Sequence, residues 1–184
     1  GIESRYVFFF FCFLQAEDVI RDLVRSRGLG DVYKRQLYGS QGGGYVVGTN
    51  GYGDLAKAQL FYVDEPYSIE GCLVWVGVKD IIGTPNTTKF VVYSANGTGT
   101  ATTGTVNTAP GTELASVTVS MTDLDTSLSL SGAHVFTLTT PVAVTDMYYV
   151  GMDFANTYDD TLGIVSTTDG DAAGTELALS LIHI

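Results

Sequence analysis

Along residues 37–178, apolar and β-branched runs recur at short intervals: Gly44–Thr49, Ala58–Val63, Gly71–Ile82, Thr88–Ser94, Ala115–Met121, His134–Thr140, Met147–Phe154 and Leu162–Ser166. The segments between them, such as TNGYGD, GTPNT, SLSLSG, ANTYDD and TTDGDAAG, are rich in the residues that set turn geometry. About eight short strands punctuated by turns predict an all-β chain, an antiparallel β-sandwich of jelly-roll-like or Ig-like kind. Nothing in this stretch sustains a helical period beyond two turns.

The alternation within the runs assigns faces. In HVFTLTT, Val135, Thr137 and Thr139 alternate with His134, Phe136 and Leu138; in ASVTVSM, Val117, Val119 and Met121 alternate with Ser116, Thr118 and Ser120. Each has one dry and one wet face. CLVWVGVKDII is apolar at both parities, which predicts one central strand covered on both sides. In YYVGMDF, the set Tyr148, Val150, Met152 and Phe154 is the better candidate for the core than Tyr149, Gly151 and Asp153.

The front of the chain has a different texture. VFFFFCFL (Val7–Leu14) is far shorter than the roughly 20 residues that span a bilayer, so no membrane insertion is expected from it. Behind Arg5 it mimics the apolar part of a secretory signal, but QAED follows with no small-x-small cleavage site. In QAEDVIRDLVRSRG, Val19, Ile20, Leu23 and Val24 fall on one stripe and Gly28 can cap it, which predicts a short helix near residues 15–27.

Charge divides at the same place. The chain carries nine Lys plus Arg against 20 Asp plus Glu, a net charge of −11. All five arginines (Arg5, Arg21, Arg25, Arg27, Arg35) lie in residues 1–36, whereas residues 37–184 hold Lys57, Lys79 and Lys89 against 15 acids, a net of −12. So acidic a body argues against nucleic acid as a partner, which would need clustered Lys and Arg to displace counterions.

The string FFFFCFLQAEDVIRDLVRSRGLGDVYKRQ (Phe8–Gln36) resembles translated sequencing-adapter sequence joined to an assembled metagenomic gene, and LSLIHI (Leu179–Ile184) resembles the same adapter family at the other end. The resemblance implies three parts: residues 1–36 as a non-native leader, 37–178 as the β-sandwich domain, itself a fragment, and 179–184 as a non-native tail. Cys12 and His183 then drop out, leaving Cys72 and His134. One cysteine makes no intrachain disulfide, and one Cys with one His makes no structural zinc site. Cys72, in GCLVWVGV, reads as a buried small hydrophobe.

The segments GGGYVVGTNGYGDLAKAQLF, KFVVYSANGTG, PGTELASVTVSMTDLDT, PVAVTDMYYVGMDF and TLGIVSTTDGD are similar, in their order, to a β-sandwich module of large secreted Bacteroidetes proteins found near a type IX secretion sorting domain. The resemblance implies a secreted or cell-surface setting, neighbouring domains in a larger chain, and no established chemistry. Members of that family continue past DGD into an aromatic-rich closing segment; this chain runs into LSLIHI instead, so the last native strand is expected to be missing.

Candidate chemistry is sparse, and the chain is expected not to be an enzyme. A nucleophile needs a base within hydrogen-bond reach, and His134, the sole histidine of the body, sits inside a strand pattern. GSQGGG (Gly39–Gly44) has neither the preceding strand nor the following helix of a phosphate-cradling loop. A calcium site is the sharper alternative: Asp123 and Asp125 in TDLDT, and Asp169 and Asp171 in TTDGDAAG, can turn carboxylates toward one hard cation, although Asp in such strings also simply shapes turns. For a polysaccharide ligand, exposed aromatic rings stack on sugar faces. The candidates are Trp75, Tyr52, Tyr67, Tyr93 and Tyr158; Tyr52 and Tyr158 lie in loops, while Trp75 also suits a core. Two functions follow: a non-catalytic structural, interaction or adhesion module of a larger exported protein, or a carbohydrate-binding module with a structural calcium.

Overall fold

The structure, a computed structural model, describes residues 3–9, 37, 39–98, 109–126, 133–157, 159–165 and 178–181. The helix expected near residues 15–27 lies outside these. Ten strands are present among the described residues: β1 (Glu3–Phe9), β2 (Ala56–Phe61), β3 (Tyr67–Val74), β4 (Val76–Asp80), β5 (Thr87–Ser94), β6 (Glu113–Ser120), β7 (His134–Val144), β8 (Tyr148–Asp153), β9 (Thr161–Ile164) and β10 (Ala178–Leu181). One sheet runs β10-β2-β8-β5-β6 and a second β1-β3-β7, while β4 and β9 form a two-stranded ladder. Every ladder is antiparallel except β1 on β3, which is parallel. The chain is thus an all-β, sandwich-like fold.

The faces follow the alternation. Across the five-stranded sheet, Phe90 stands opposite both Met152 and Val117, and Val92 opposite both Val150 and Ala115. These side chains meet Phe136, Leu138, Ile69, Cys72 and Val74 of the other sheet in one core. Phe90 and Phe136 mark the seam, with ring centroids 5.9 Å apart. Both are fully buried, and each such side chain stabilises the fold by about 2–3 kcal/mol relative to exposure. Tyr148, Val150, Met152 and Phe154 all lie in this core, as their alternation predicts. On the opposite face of the same sheet, Ala58, Leu60 and Tyr149 form a smaller buried cluster.

The apolar run from Gly71 to Ile82 is not one central strand. It breaks at Trp75, with β3 ending at Val74 in the three-stranded sheet and β4 starting at Val76 in the ladder with β9. The indole is only 4% exposed, and the Trp75 carbonyl accepts from Val165 N–H at 2.8 Å, so the corner is itself hydrogen-bonded. Both parities are apolar because the run changes partner mid-way, each half filling a different wall of the same core.

The first expected strand, Gly44–Thr49, forms isolated bridges instead of a ladder: Gly44 pairs with Asn50 and Gly48 with Gly163. At Gly48 the backbone has φ +142°, and a Cβ there would lie 2.0 Å from the Leu162 carbonyl oxygen. A glycine is therefore required for the loop to lie down on β9. Leu37 seats against Gly77 in the same region, completing the cover of the β4–β9 ladder. Strand β1 falls wholly in the segment expected to be a leader, 1–36, and β10 reaches into the expected tail, 179–184. Both take outer positions, β1 beside β3 and β10 beside β2, where unpaired backbone groups accept an extended partner.

Candidate functional site

Three polar clusters hold the connections, and each was weakly signalled by sequence. The first lies where the glycine-rich lead-in meets β2. Asn50 Oδ1 accepts from Tyr52 N–H at 3.1 Å and Asp54 N–H at 3.4 Å, while its Nδ2 donates to Tyr45 O at 3.2 Å and Asp54 Oδ2 at 2.9 Å. The same Asp54 Oδ2 accepts from Lys57 Nζ. Lys57 pairs in register with Met152 and so belongs to the core-facing row of β2, together with Gln59 and Phe61. The Lys57 and Asp54 side chains are 8% and 5% exposed, making this a buried ion pair. The alternation of AKAQLF points the other way, setting Ala56, Ala58 and Leu60 against Lys57 and Gln59 as if the lysine row were the wet one, and it is the register with Met152 and Val150 that puts this row on the core side.

The second cluster is built on Asp160, which is 2% exposed. Its Oδ1 accepts from Ile82 N–H at 2.8 Å, and its Oδ2 from Asn86 N–H at 3.2 Å and Asn86 Nδ2 at 3.0 Å. Asn86 Nδ2 also reaches Thr157 O at 3.1 Å. One carboxylate thereby ties the β4–β5 turn to the β8–β9 turn.

The third cluster contains two of the expected metal ligands. Asp123 belongs to a single 3-10 turn, Met121–Asp123, and accepts from Thr122 Oγ1 at 3.2 Å. Asp125 Oδ2 lies 3.3 Å from His134 Nδ1, and Lys79 Nζ donates to the carbonyls of Thr122 at 3.0 Å and Leu124 at 2.6 Å. His134 packs edge-on against Phe136, with centroids 4.7 Å apart. Asp169 and Asp171 lie outside the described residues, and among the described residues no group of three or more His, Cys, Asp or Glu converges.

Of the aromatic candidates, Tyr52 is 59% exposed and its ring lies across Gly42. Trp75 and Tyr67 are core residues, and Tyr158 lies outside the described residues. Tyr93, half-buried on the outer face, packs over Gly151 of β8. Its burial, with Asp153 and Glu113 nearby, pushes the phenol up from 10.0 to about 12. Hydrogen bonds from Ser116 and Lys89 hold the carboxyl of Glu113 below its ordinary range. Cys72 is fully buried, its Sγ directed at Leu73 O at 3.6 Å.

No family model, no curated protein and no solved structure matches the chain. Among the described residues no helix is long and apolar enough to cross a membrane.

Proposed function

We propose that the chain is a non-catalytic structural or interaction module, a β-sandwich spacer or adhesion domain of a larger secreted or cell-surface protein. The observation that carries this reading is the use made of the polar side chains: Asn50, Asp54, Asp160 and the Asp125–His134 pair are each engaged in fixing a connection to the sandwich. The exported setting rests on the resemblance of the segments from GGGYVVGTNGYGD to TLGIVSTTDGD. Incubated with panels of polysaccharide, ester and peptide substrates, the protein is expected to leave them intact. Turnover abolished by His134→Ala or Asp125→Asn would overturn the reading.

A second reading, a carbohydrate-binding module with a structural calcium, is favoured by one observation. The exposed Tyr52 ring is presented by a turn whose Tyr52 and Asp54 N–H groups both bond to Asn50 Oδ1, a platform of the kind sugar faces stack on. Glycan arrays followed by calorimetry test it: binding lost on Tyr52→Ala or Tyr158→Ala supports the module. The calcium, held by Asp123, Asp125, Asp169 and Asp171, is tested by melting with and without chelator, where an unchanged Tm removes it.

A further inference from the structure

From the buried cluster at the start of β2 we infer a modification that the protein performs on itself: an isopeptide bond between Lys57 Nζ and Asn50 Cγ, formed with loss of ammonia. Three features of the geometry converge on it. A single oxygen, Asp54 Oδ2, contacts both the amine that would attack and the amide nitrogen that would leave, since Lys57 Nζ and Asn50 Nδ2 both donate to it. The amide oxygen that would take up negative charge, Asn50 Oδ1, already accepts two backbone N–H groups, those of Tyr52 and Asp54. Two donors aimed at one carbonyl oxygen form an oxyanion hole. Finally, the Lys57 and Asp54 side chains are almost wholly withdrawn from solvent, so water competes little for the proton being moved.

The step balances as a transamidation. Asp54 Oδ2 takes one proton from the Lys57 ammonium, and the neutral Nζ adds to Asn50 Cγ, with the C=O electron pair moving onto Oδ1. Asp54 delivers its proton to Nδ2 and receives the second proton from Nζ. The Cγ–Nδ2 bond breaks, the carbonyl re-forms, ammonia departs and carries the last proton away as ammonium, and Asp54 is left as carboxylate. Asp54 is thus a proton shuttle between nucleophile and leaving group, the role of a positioned general acid and base.

One competing reaction has the same mass change. Asn50 is followed by Gly51, and attack by the Gly51 nitrogen on Asn50 Cγ would give a succinimide, also with loss of ammonia. In the folded protein that nitrogen is held elsewhere, donating to Gly43 O at 2.9 Å. The fold restrains the backbone nucleophile and presents the lysine.

Intact-mass spectrometry of the full chain, denatured after folding, tests the inference. The expected mass falls short of the sequence mass by one ammonia. Trypsin is expected not to cut after Lys57, and chymotryptic cleavage after Tyr52 is expected to leave the pieces carrying Asn50 and Lys57 joined. Lys57→Arg keeps a cation beside Asp54 but cannot make this bond, and Asp54→Asn removes the shuttle; both are expected to show the full mass. A wild-type chain of full mass would overturn the proposal, as would a deficit accompanied by normal cleavage after Lys57, which identifies the succinimide. A deficit that persists in a natively folded Lys57→Arg overturns it as well, since there the Gly51 nitrogen is still held on Gly43 O.

Discussion

The hydroxyls of Tyr67 and Tyr148 lie 2.6 Å apart, joining the start of β3 in one sheet to the start of β8 in the other within the buried core. The rings meet edge-on at 6.2 Å, and Tyr148 stacks on Phe61 at 5.4 Å. This polar link inside an apolar core fixes how the two sheets face each other, because the bond survives neither a slide nor a separation. Either Tyr67→Phe or Tyr148→Phe should cost about 1–2 kcal/mol in chemical denaturation by removing one partner of a buried pair. The double variant should cost less than the sum of the two, and simple additivity would show that the hydroxyls act independently.

Asp160 should be the most sensitive polar position. Asp160→Ala removes the acceptor of three donors from Ile82 and Asn86 and is expected to cost about 3 kcal/mol. The Ile82 and Asn86 amides should then exchange with solvent much faster than those of β5, a contrast measurable by amide hydrogen exchange.

The raised phenol of Tyr93 gives a pH signature with a definite sign. An acid whose folded pKa lies above its unfolded value stabilises the protein below the unfolded value, and that contribution is lost as pH rises from 10.0 through about 12. Stability should therefore fall more steeply over that window in the wild type than in Tyr93→Phe, as read from denaturation curves at stepped pH. Equal slopes would remove Tyr93 as the cause.

Gly48 tests the seating of the lead-in loop. Gly48→Ala puts a Cβ against the Leu162 carbonyl at a backbone angle that L residues rarely adopt, and should destabilise by about 3 kcal/mol. Gly53→Ala also falls at positive φ, 74°, but in open space, and should cost nearer 1 kcal/mol. The difference in Tm between the two separates close approach from backbone conformation alone.

How much of this was legible depended on whether a residue's role was set by its neighbours in sequence. Phe136 and Leu138 are buried while Val135 is 49% exposed, and Tyr148, Val150, Met152 and Phe154 point inward, because alternation reports which side of one strand is dry. The corner at Trp75 was not legible, since a run apolar at both parities looks alike whether it has one sheet on each side or two sheets in succession. The clusters on Asp160 and Lys57 were missed for a related reason. The partners of the Asp160 carboxylate are 74 or more residues away in sequence, so its string, YDD, looks like any acidic turn. Lys57 was hidden because AKAQLF alternates Ala56, Ala58 and Leu60 with Lys57 and Gln59, which reads the lysine row as wet, whereas its pairing with Met152 turns that row toward the core. The expected pairing of the Asp123–Asp125 string with the Asp169–Asp171 string rests in part on residues outside those described.

The corner at Trp75 also bears on how the protein comes apart. Because one continuous run supplies β3 to the three-stranded sheet and β4 to the ladder with β9, the two assemblies are joined through a single peptide unit. That unit is anchored by Val165 N–H on the Trp75 carbonyl, so a displacement of either assembly is passed to the other. The ladder and the three-stranded sheet should then loosen as one cooperative piece.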